Sequence, residues 1–207
     1  DYLKKASAKG LKFINVGPLK SDLEIASNVE WVSLKPNTDV ALILSLCYEI
    51  NKAKATKRNF IDKYTVGFEQ FSAYLNGHTD GVVKNANWAS RITGISKEAI
   101  FDLVRKIKNS KRTMISVSWS LTRQSHGEQP YWAAIALACI IGDLGKPGGG
   151  IGFGYSAMNS IGNHYKKIPA VSLPQGKNNV KKFIPVARIS EMLESPGTSF
   201  DYNGSKL

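Results

Sequence analysis

Cysteine and histidine are scarce in this chain: its 207 residues include two cysteines and three histidines. Cys47 and Cys139 stand far apart, each inside an apolar run, so buried free thiols are expected rather than a disulfide. His78, His126 and His164 are scattered, whereas a zinc site needs clustered Cys and His, so no residue is assigned as a metal ligand. Long apolar runs are missing as well. No stretch reaches the ~18 consecutive apolar residues of a spanning helix, which argues against a membrane span. Acidic residues are the minority, 16 against 28 lysines and arginines, giving a net charge of +12.

That charge has two readings. One is an anionic partner: a nucleic acid, a phosphate-bearing cofactor or a membrane surface. The other is a solvated lysine-rich surface. The basic residues are dispersed (Lys4, Lys5, Lys9 and Lys12; Lys52, Lys54, Lys57 and Arg58; Arg105, Lys106, Lys108, Lys111 and Arg112), and several fall on polar faces of helix-like stretches. This favours the solvated surface. With 43% hydrophobic and 21% charged residues, the chain has the composition of an ordinary globular protein of one or two domains. Its start, Asp1-Tyr2-Leu3-Lys4-Lys5, has neither the form of a signal peptide nor an initiating methionine, and a helix is already under way. The chain is expected to be an internal piece of a longer polypeptide, so missing targeting signals say nothing of the parent.

Helical and strand patterns alternate along the chain. Residues 2–9 read as the end of a helix, 11–16 and 29–34 as strands, and Asp39 opens an apolar helix to about Ile50, buried on most sides. Residues 52–63 read as a basic helical stretch and Phe68–Leu75 as a helix with core aromatics. Residues 88–92 form a short helix, and Ser96 caps an amphipathic helix with Ile100, Leu103, Val104 and Ile107 on one face. A strand over 113–117 and a helix over 131–142 follow. The expected class is α/β: a mostly parallel sheet with flanking helices, Rossmann-like but incomplete, followed by a loop-rich C-terminal third. Domains are expected at 1–145 and 146–207, the second a glycine-rich loop and extended segment. Long loops are expected over 155–182, and a strand and helix return over 183–193.

The segment Trp119-Ser120-Leu121-Thr122-Arg123-Gln124-Ser125-His126-Gly127-Glu128-Gln129-Pro130 sits where a strand hands over to a helix. In open α/β sheets that edge binds ligands. Arg123 and His126 suit an anion or a polar substrate, with Glu128 as their charge partner, and Trp119 is either core or a stacking plate for a flat heterocycle. A charged loop that pairs only with itself and water remains the alternative. Asp39 is either a favourable charge at a helix start or a carboxylate that accepts the two N–H donors of a guanine edge. The cluster Gly145–Gly154 fits neither a dinucleotide fingerprint, since a helix precedes it, nor a phosphate loop, since Pro147 follows Lys146. It reads as a helix terminator with backbone free for close approach.

These residues resemble a known family. Trp119, then Arg123-Gln124-x-His126-Gly127-Glu128-Gln129-Pro130-Tyr131-Trp132, then Gly142-x-x-Gly145-x-Pro147-Gly148-Gly149-Gly150, are similar to the molybdopterin oxidoreductases of the dimethyl sulfoxide reductase family. The likeness is greatest to the trimethylamine N-oxide reductase branch, with biotin sulfoxide reductases next. Pro36-x-Thr38-Asp39-Val40-Ala41-Leu42, Tyr64-x-x-Gly67-Phe68, Asp80-Gly81-Val82, Ile184-Pro185-Val186-Ala187-Arg188 and Asn203-Gly204-Ser205-Lys206 extend the likeness over nearly the whole chain. The resemblance implies an enzyme that carries bis(molybdopterin guanine dinucleotide) molybdenum and removes oxygen from N-oxides or S-oxides, the cofactor performing the redox chemistry. It implies a partial cofactor-binding domain over 1–145, a c-type cytochrome donor, the rest of the parent polypeptide as partner, a periplasmic location and no nucleic acid.

Residue by residue, the resemblance assigns Thr38 and Asp39 to the guanine-contacting loop and Pro18 and Ser21 to another nucleotide contact. Trp119, Arg123, His126 and Gly127 run beside the pterin and the substrate funnel, with Arg123 as the polar group nearest the metal. Glu128 and Gln129 fix that loop. Two positions depart from the family pattern. Gly17 stands where the family has Asp, and Thr122 where Gln is frequent. The family's serine ligand to molybdenum is expected upstream of Asp1, so the chain alone should not reduce N-oxides. A basic nucleic-acid-binding module, whose affinity would fall with salt, and a purely structural interdomain segment are the other two readings.

Overall fold

The alternating patterns become alternating elements in a computed structural model, which describes residues 2–23, 29–153, 173–174, 176–177, 179, 184–199, 201–202 and 205–206. Two compact units divide the chain, Asp1–Ile161 and Gly162–Leu207. The first unit runs α1 (Tyr2–Ala8), β1 (Ile14–Gly17), a 3-10 turn (Lys20–Leu23), β2 (Glu30–Ser33), α2 (Asp39–Lys52) and α3 (Arg58–Tyr64). It continues with α4 (Phe68–Leu75), α5 (Ala86–Thr93), α6 (Lys97–Asn109), β3 (Met114–Val117), a second 3-10 turn (Trp119–Thr122), α7 (Gln129–Ile141) and β4 (Gly150–Phe153).

The strands form two parallel pairs. β1 runs beside β2, from Ile14 opposite Glu30 to Gly17 opposite Ser33. β3 runs beside β4, from Met114 opposite Gly150 to Val117 opposite Phe153. With α7 crossing between β3 and β4, this is the parallel α/β class that the alternation predicts.

The core is built around α2, which packs against α5, α6 and α7. Leu42, Leu46, Cys47 and Ile50 of α2 are buried with Ile100, Leu103 and Val104 of α6 and Leu137, Ile140 and Ile141 of α7. A helix apolar on most sides buries most of its circumference, as α2 does. Polar groups set the ends. Ser96 Oγ accepts from the Ala99 N–H at 3.2 Å and starts α6. Asn85 Oδ1 accepts from the Trp88 N–H at 2.9 Å and starts α5, whose Ala86 N–H is taken by buried Glu49 of α2, also at 2.9 Å. Lys84 is buried to 2% exposure, with Nζ 2.6 Å from both Asp80 Oδ2 and the Val82 carbonyl and 4.3 Å from the Tyr74 ring centre. Both cysteines are free, Cys47 buried and Cys139 half-buried.

Two segments depart from the sequence pattern. The basic stretch 52–63 is not one helix: α2 ends at Lys52 and α3 begins at Arg58. Between them Lys54 takes the left-handed conformation, φ 53°. The break turns the chain so that the Lys57 N–H can donate to the Ile140 carbonyl of α7 at 3.0 Å. The glycine cluster, expected as loop, contains β4. Along β4 the buried positions are Gly150 and Gly152, while Ile151 is half-buried and Phe153 exposed, so a hydropathy pattern finds no apolar side chain at the buried positions. The glycine that ends α7 is Gly142, its left-handed C-cap, which precedes the cluster read as the terminator.

The second unit contains a 3-10 turn (Val186–Arg188), α8 (Ile189–Glu194) and an antiparallel pair, β5 (Asp201–Tyr202) with β6 (Ser205–Lys206). Most of the segment expected to form long loops, 155–182, lies outside the described residues, as does Phe183.

Candidate functional site

Each segment that carries a candidate cofactor contact follows the carboxyl end of a parallel strand. β1 ends at Gly17 and delivers Pro18 and, in the 3-10 turn, Ser21, both exposed. β2 ends at Ser33 and delivers the turn that reaches Thr38 and Asp39. Because β1 and β2 are hydrogen-bonded and parallel, these two turns leave one edge side by side. β3 ends at Val117 and delivers Trp119, Arg123, His126 and Gly127 before α7.

The packing of the helices relates the edges of the two strand pairs. α2 and α7 pack on one another. The residues just beyond the carboxyl end of α2 meet the last turn of α7 through the Lys57–Ile140 hydrogen bond. The two helices have 14 and 13 residues. Asp39 opens one and the 118–128 loop leads into the other.

Thr38 does not cap α2. It occupies the N-cap position, but its hydroxyl donates to the Lys35 carbonyl at 2.6 Å. Burial pushes the Asp39 carboxyl above the usual carboxylate range, opposed by a hydrogen bond from its own backbone amide. At β1, Gly17 brings no side chain, and its carbonyl already accepts the Trp31 indole N–H at 2.9 Å.

The 118–128 loop is closed on itself. Ser118 Oγ accepts from the Ser120 N–H at 3.3 Å, Thr122 Oγ1 donates to the Trp119 carbonyl at 2.9 Å, and the Arg123 N–H donates to the Ser120 carbonyl at 3.0 Å. His126 is left-handed, φ 56°, which costs a residue with Cβ about 1–2 kcal/mol. Gly127 is buried, and a Cβ there would lie 2.2 Å from the Thr122 carbonyl oxygen, so only glycine fits. Glu128 is held below the usual carboxylate range by its own backbone amide and then by Gln129, with a smaller contribution from His126, whose Nδ1 is 3.8 Å away.

Between this loop, α7 and the β3–β4 pair lies a cleft of about 590 Å³, lined by Val117, Gln124, His126, Tyr131, Ile151 and Phe153 among others. That volume is in the range of small-molecule sites. His126, Gly127 and Glu128 line it. Trp119 stands at its flank, its ring 5.9 Å from that of Phe153, and Arg123 is exposed on the same turn. Pro18, Ser21, Thr38 and Asp39 belong to the other strand pair and do not line this cleft. Tyr131, Ile151 and Phe153 were not singled out as site residues. Tyr131 lies inside the quoted motif, whereas Ile151 and Phe153 reach the cleft only through the pairing of β4 with β3. Among the described residues no helix is long and apolar enough to cross a membrane.

Comparison with known proteins now gives the family. The molybdopterin oxidoreductase family model matches residues 2–200. A biotin sulfoxide reductase from Cereibacter sphaeroides is 45% identical over 98% of this chain and 27% of its own length. A dimethyl sulfoxide/trimethylamine N-oxide reductase from Rhodobacter capsulatus is 38% identical over 99% of this chain and 26% of its own length. The chain thus spans about a quarter of the length of the curated relatives it matches. Acetylene hydratase from Pelobacter acetylenicus superposes with a TM-score of 0.59 over 70% of this chain and 19% of its own, at 22% identity, which is a likeness of fold. On these matches and on the strand-end motifs that carry them, the chain belongs to the molybdopterin oxidoreductase family, among relatives that reduce S-oxides and N-oxides.

Proposed function

We propose that this chain forms one wall of the bis(molybdopterin guanine dinucleotide) site of a larger N-oxide or S-oxide reductase. The observation that carries the reading is that the Asp39 turn and the Arg123 loop each follow the carboxyl end of a parallel strand and open α2 and α7, two helices that pack on one another. The residues present suit such a group. Asp39 offers a part-buried carboxylate whose burial disfavours its charge, the state relieved when donors arrive from a guanine edge. Pro18 and Ser21 leave the neighbouring strand end beside it. Trp119 offers an exposed flat face, 41% accessible, for a heterocycle, and Gly127 lets the loop backbone close tightly beside it. Arg123 and His126 bring donors for phosphate or substrate oxygen. When bound, the molybdenum–pterin group supplies the two-electron removal of oxygen from the substrate. The chain's own residues bind it, orient it and present Arg123 to the incoming oxide.

On this reading residues 1–145 are part of the cofactor domain and 146–207 lead to another domain. The parent takes electrons from a c-type cytochrome in the periplasm, trimethylamine N-oxide is a substrate, and the isolated chain is inactive. The test is Asp39→Ala in the full-length enzyme, with molybdenum and released guanine nucleotide assayed on the purified protein. Both should fall several-fold. Unchanged content of both would refute the assignment and favour a structural role. Activity of the isolated chain with a viologen donor, after cofactor reconstitution, would refute its dependence on the parent.

A further inference from the structure

We propose that Tyr131, with Phe153, is a positioning residue that sets the turn carrying Trp119 and Arg123. Tyr131 stands in the first turn of α7, and its hydroxyl donates to the Ser118 carbonyl at 2.8 Å, reaching across thirteen positions of chain. Ser118 is the residue at which β3 gives way to the 3-10 turn, and its carbonyl also receives the Leu121 N–H at 3.4 Å. Holding that carbonyl fixes the peptide plane from which the turn departs. Phe153, the last residue of β4, braces the same turn from the sheet. The edge of the Tyr131 ring meets it with centroids 5.0 Å apart, and Trp119 lies against it at 5.9 Å with planes inclined by 42°. Such aromatic pairs add directional preference to plain burial.

The turn is therefore gripped from a helix and from a strand, the two rigid elements that flank it. Its own bonds, Thr122 to Trp119 and Arg123 to Ser120, are all local. They define the turn's shape but not its direction. Tyr131 and Phe153 supply the direction, and thereby aim the Trp119 plate and the Arg123 side chain. The inference rests on the reading of Trp119 and Arg123 as cofactor and substrate contacts.

The test begins with Tyr131→Phe in the full chain, read by hydrogen exchange of the amides between Ser118 and Gly127. The substitution keeps the ring and its contact with Phe153 and removes only the hydroxyl. Exchange of the Leu121 and Arg123 amides should accelerate about five-fold, the factor given by losing one hydrogen bond of ordinary net strength, with α2 unchanged. Phe153→Leu, which removes the brace and keeps Tyr131, should accelerate the same amides. Unaltered exchange in both variants overturns the clamp. In the full-length enzyme, Tyr131→Phe should raise KM for the oxide about five-fold with kcat and molybdenum content nearly constant. Accelerated exchange with an unchanged KM overturns the positioning role. An Arg123→Ala enzyme with unchanged KM overturns instead the assignment of Arg123, and leaves the exchange result standing.

Discussion

Replacing Gly127 by alanine tests the loop geometry most directly. An ideal Cβ at this position lies 2.2 Å from the Thr122 carbonyl oxygen, 2.6 Å from its carbonyl carbon and 2.7 Å from its Cα. All three are backbone atoms, so no rotamer change relieves the clash. A carbon–oxygen contact relaxes near 3.3 Å, so the loop must open by roughly 1 Å. Thr122 is not free to retreat, because its hydroxyl is bonded to the Trp119 carbonyl at 2.9 Å. Overpacking of this kind costs about 1–3 kcal/mol. For a chain of this size each kcal/mol moves the melting temperature by about 2–4 °C, so a fall of roughly 4–8 °C is expected near the middle of that range. The assay is thermal unfolding followed by circular dichroism, with Gly145→Ala as control. Gly145, unlike Gly127, has a positive φ, 75°, and nothing lies within 4 Å of its Cβ position, so that variant reports backbone strain without a clash. A Gly127→Ala chain that melts within about 1 °C of the parent, with unaltered hydrogen exchange over 118–127, would refute the close approach of Gly127 to Thr122.

Lys84→Met should destabilise the fold by about 2–3 kcal/mol, as the Val82 carbonyl and the faces of Tyr74 and Trp88 lose their cation. Denaturant melts would show it, and a loss below about 0.5 kcal/mol would count against the buried network. The same variant should blunt acid unfolding. The Lys84 ammonium holds Asp80 below the usual carboxylate range. That contribution is present above the unfolded pKa of ~3.9 and is lost as pH falls through the folded value. Asp39 has the opposite sign. Its carboxyl is raised by burial, so ionisation opposes folding, and the stability of Asp39→Asn relative to the parent should grow as pH rises through the raised pKa. Paired melts of the empty chain between pH 3 and 7 would check this, and a difference that shrinks with pH would contradict it.

The helices were the most legible part of the fold. α6 carries both of its signals in the sequence, apolar residues at helical spacing and a capping Ser96, and it forms at Lys97–Asn109. α2 was legible from its apolar run after the turn over 35–38, and it forms at Asp39–Lys52 without a side-chain cap. β4 was not, because its buried positions are glycines and its partner strand lies 36 residues away along the registered pairs. The break between Lys52 and Arg58 was hidden too: composition there favours a helix throughout, and tertiary contact with α7 decides the turn. The strand-to-helix position of the Trp119–Pro130 segment was readable from the order of patterns. The contact between Gly127 and the Thr122 carbonyl was not, since backbone proximity leaves no trace in residue type beyond the glycine itself. Phe153 joins the cleft through sheet pairing, a relation no local pattern contains.

β4 offers its neighbours bare backbone at two of its four positions, Gly150 and Gly152, and a Cβ added at Gly150 would lie 3.2 Å from Leu144 Cα. Its hold on the rest of the molecule therefore comes from ladder hydrogen bonds and close main-chain contact more than from side-chain oil. Apolar attraction weakens on cooling, whereas hydrogen bonding does not share that signature. The Phe153 end of the cleft should accordingly stay docked at low temperature, where the α2-centred interior has begun to loosen.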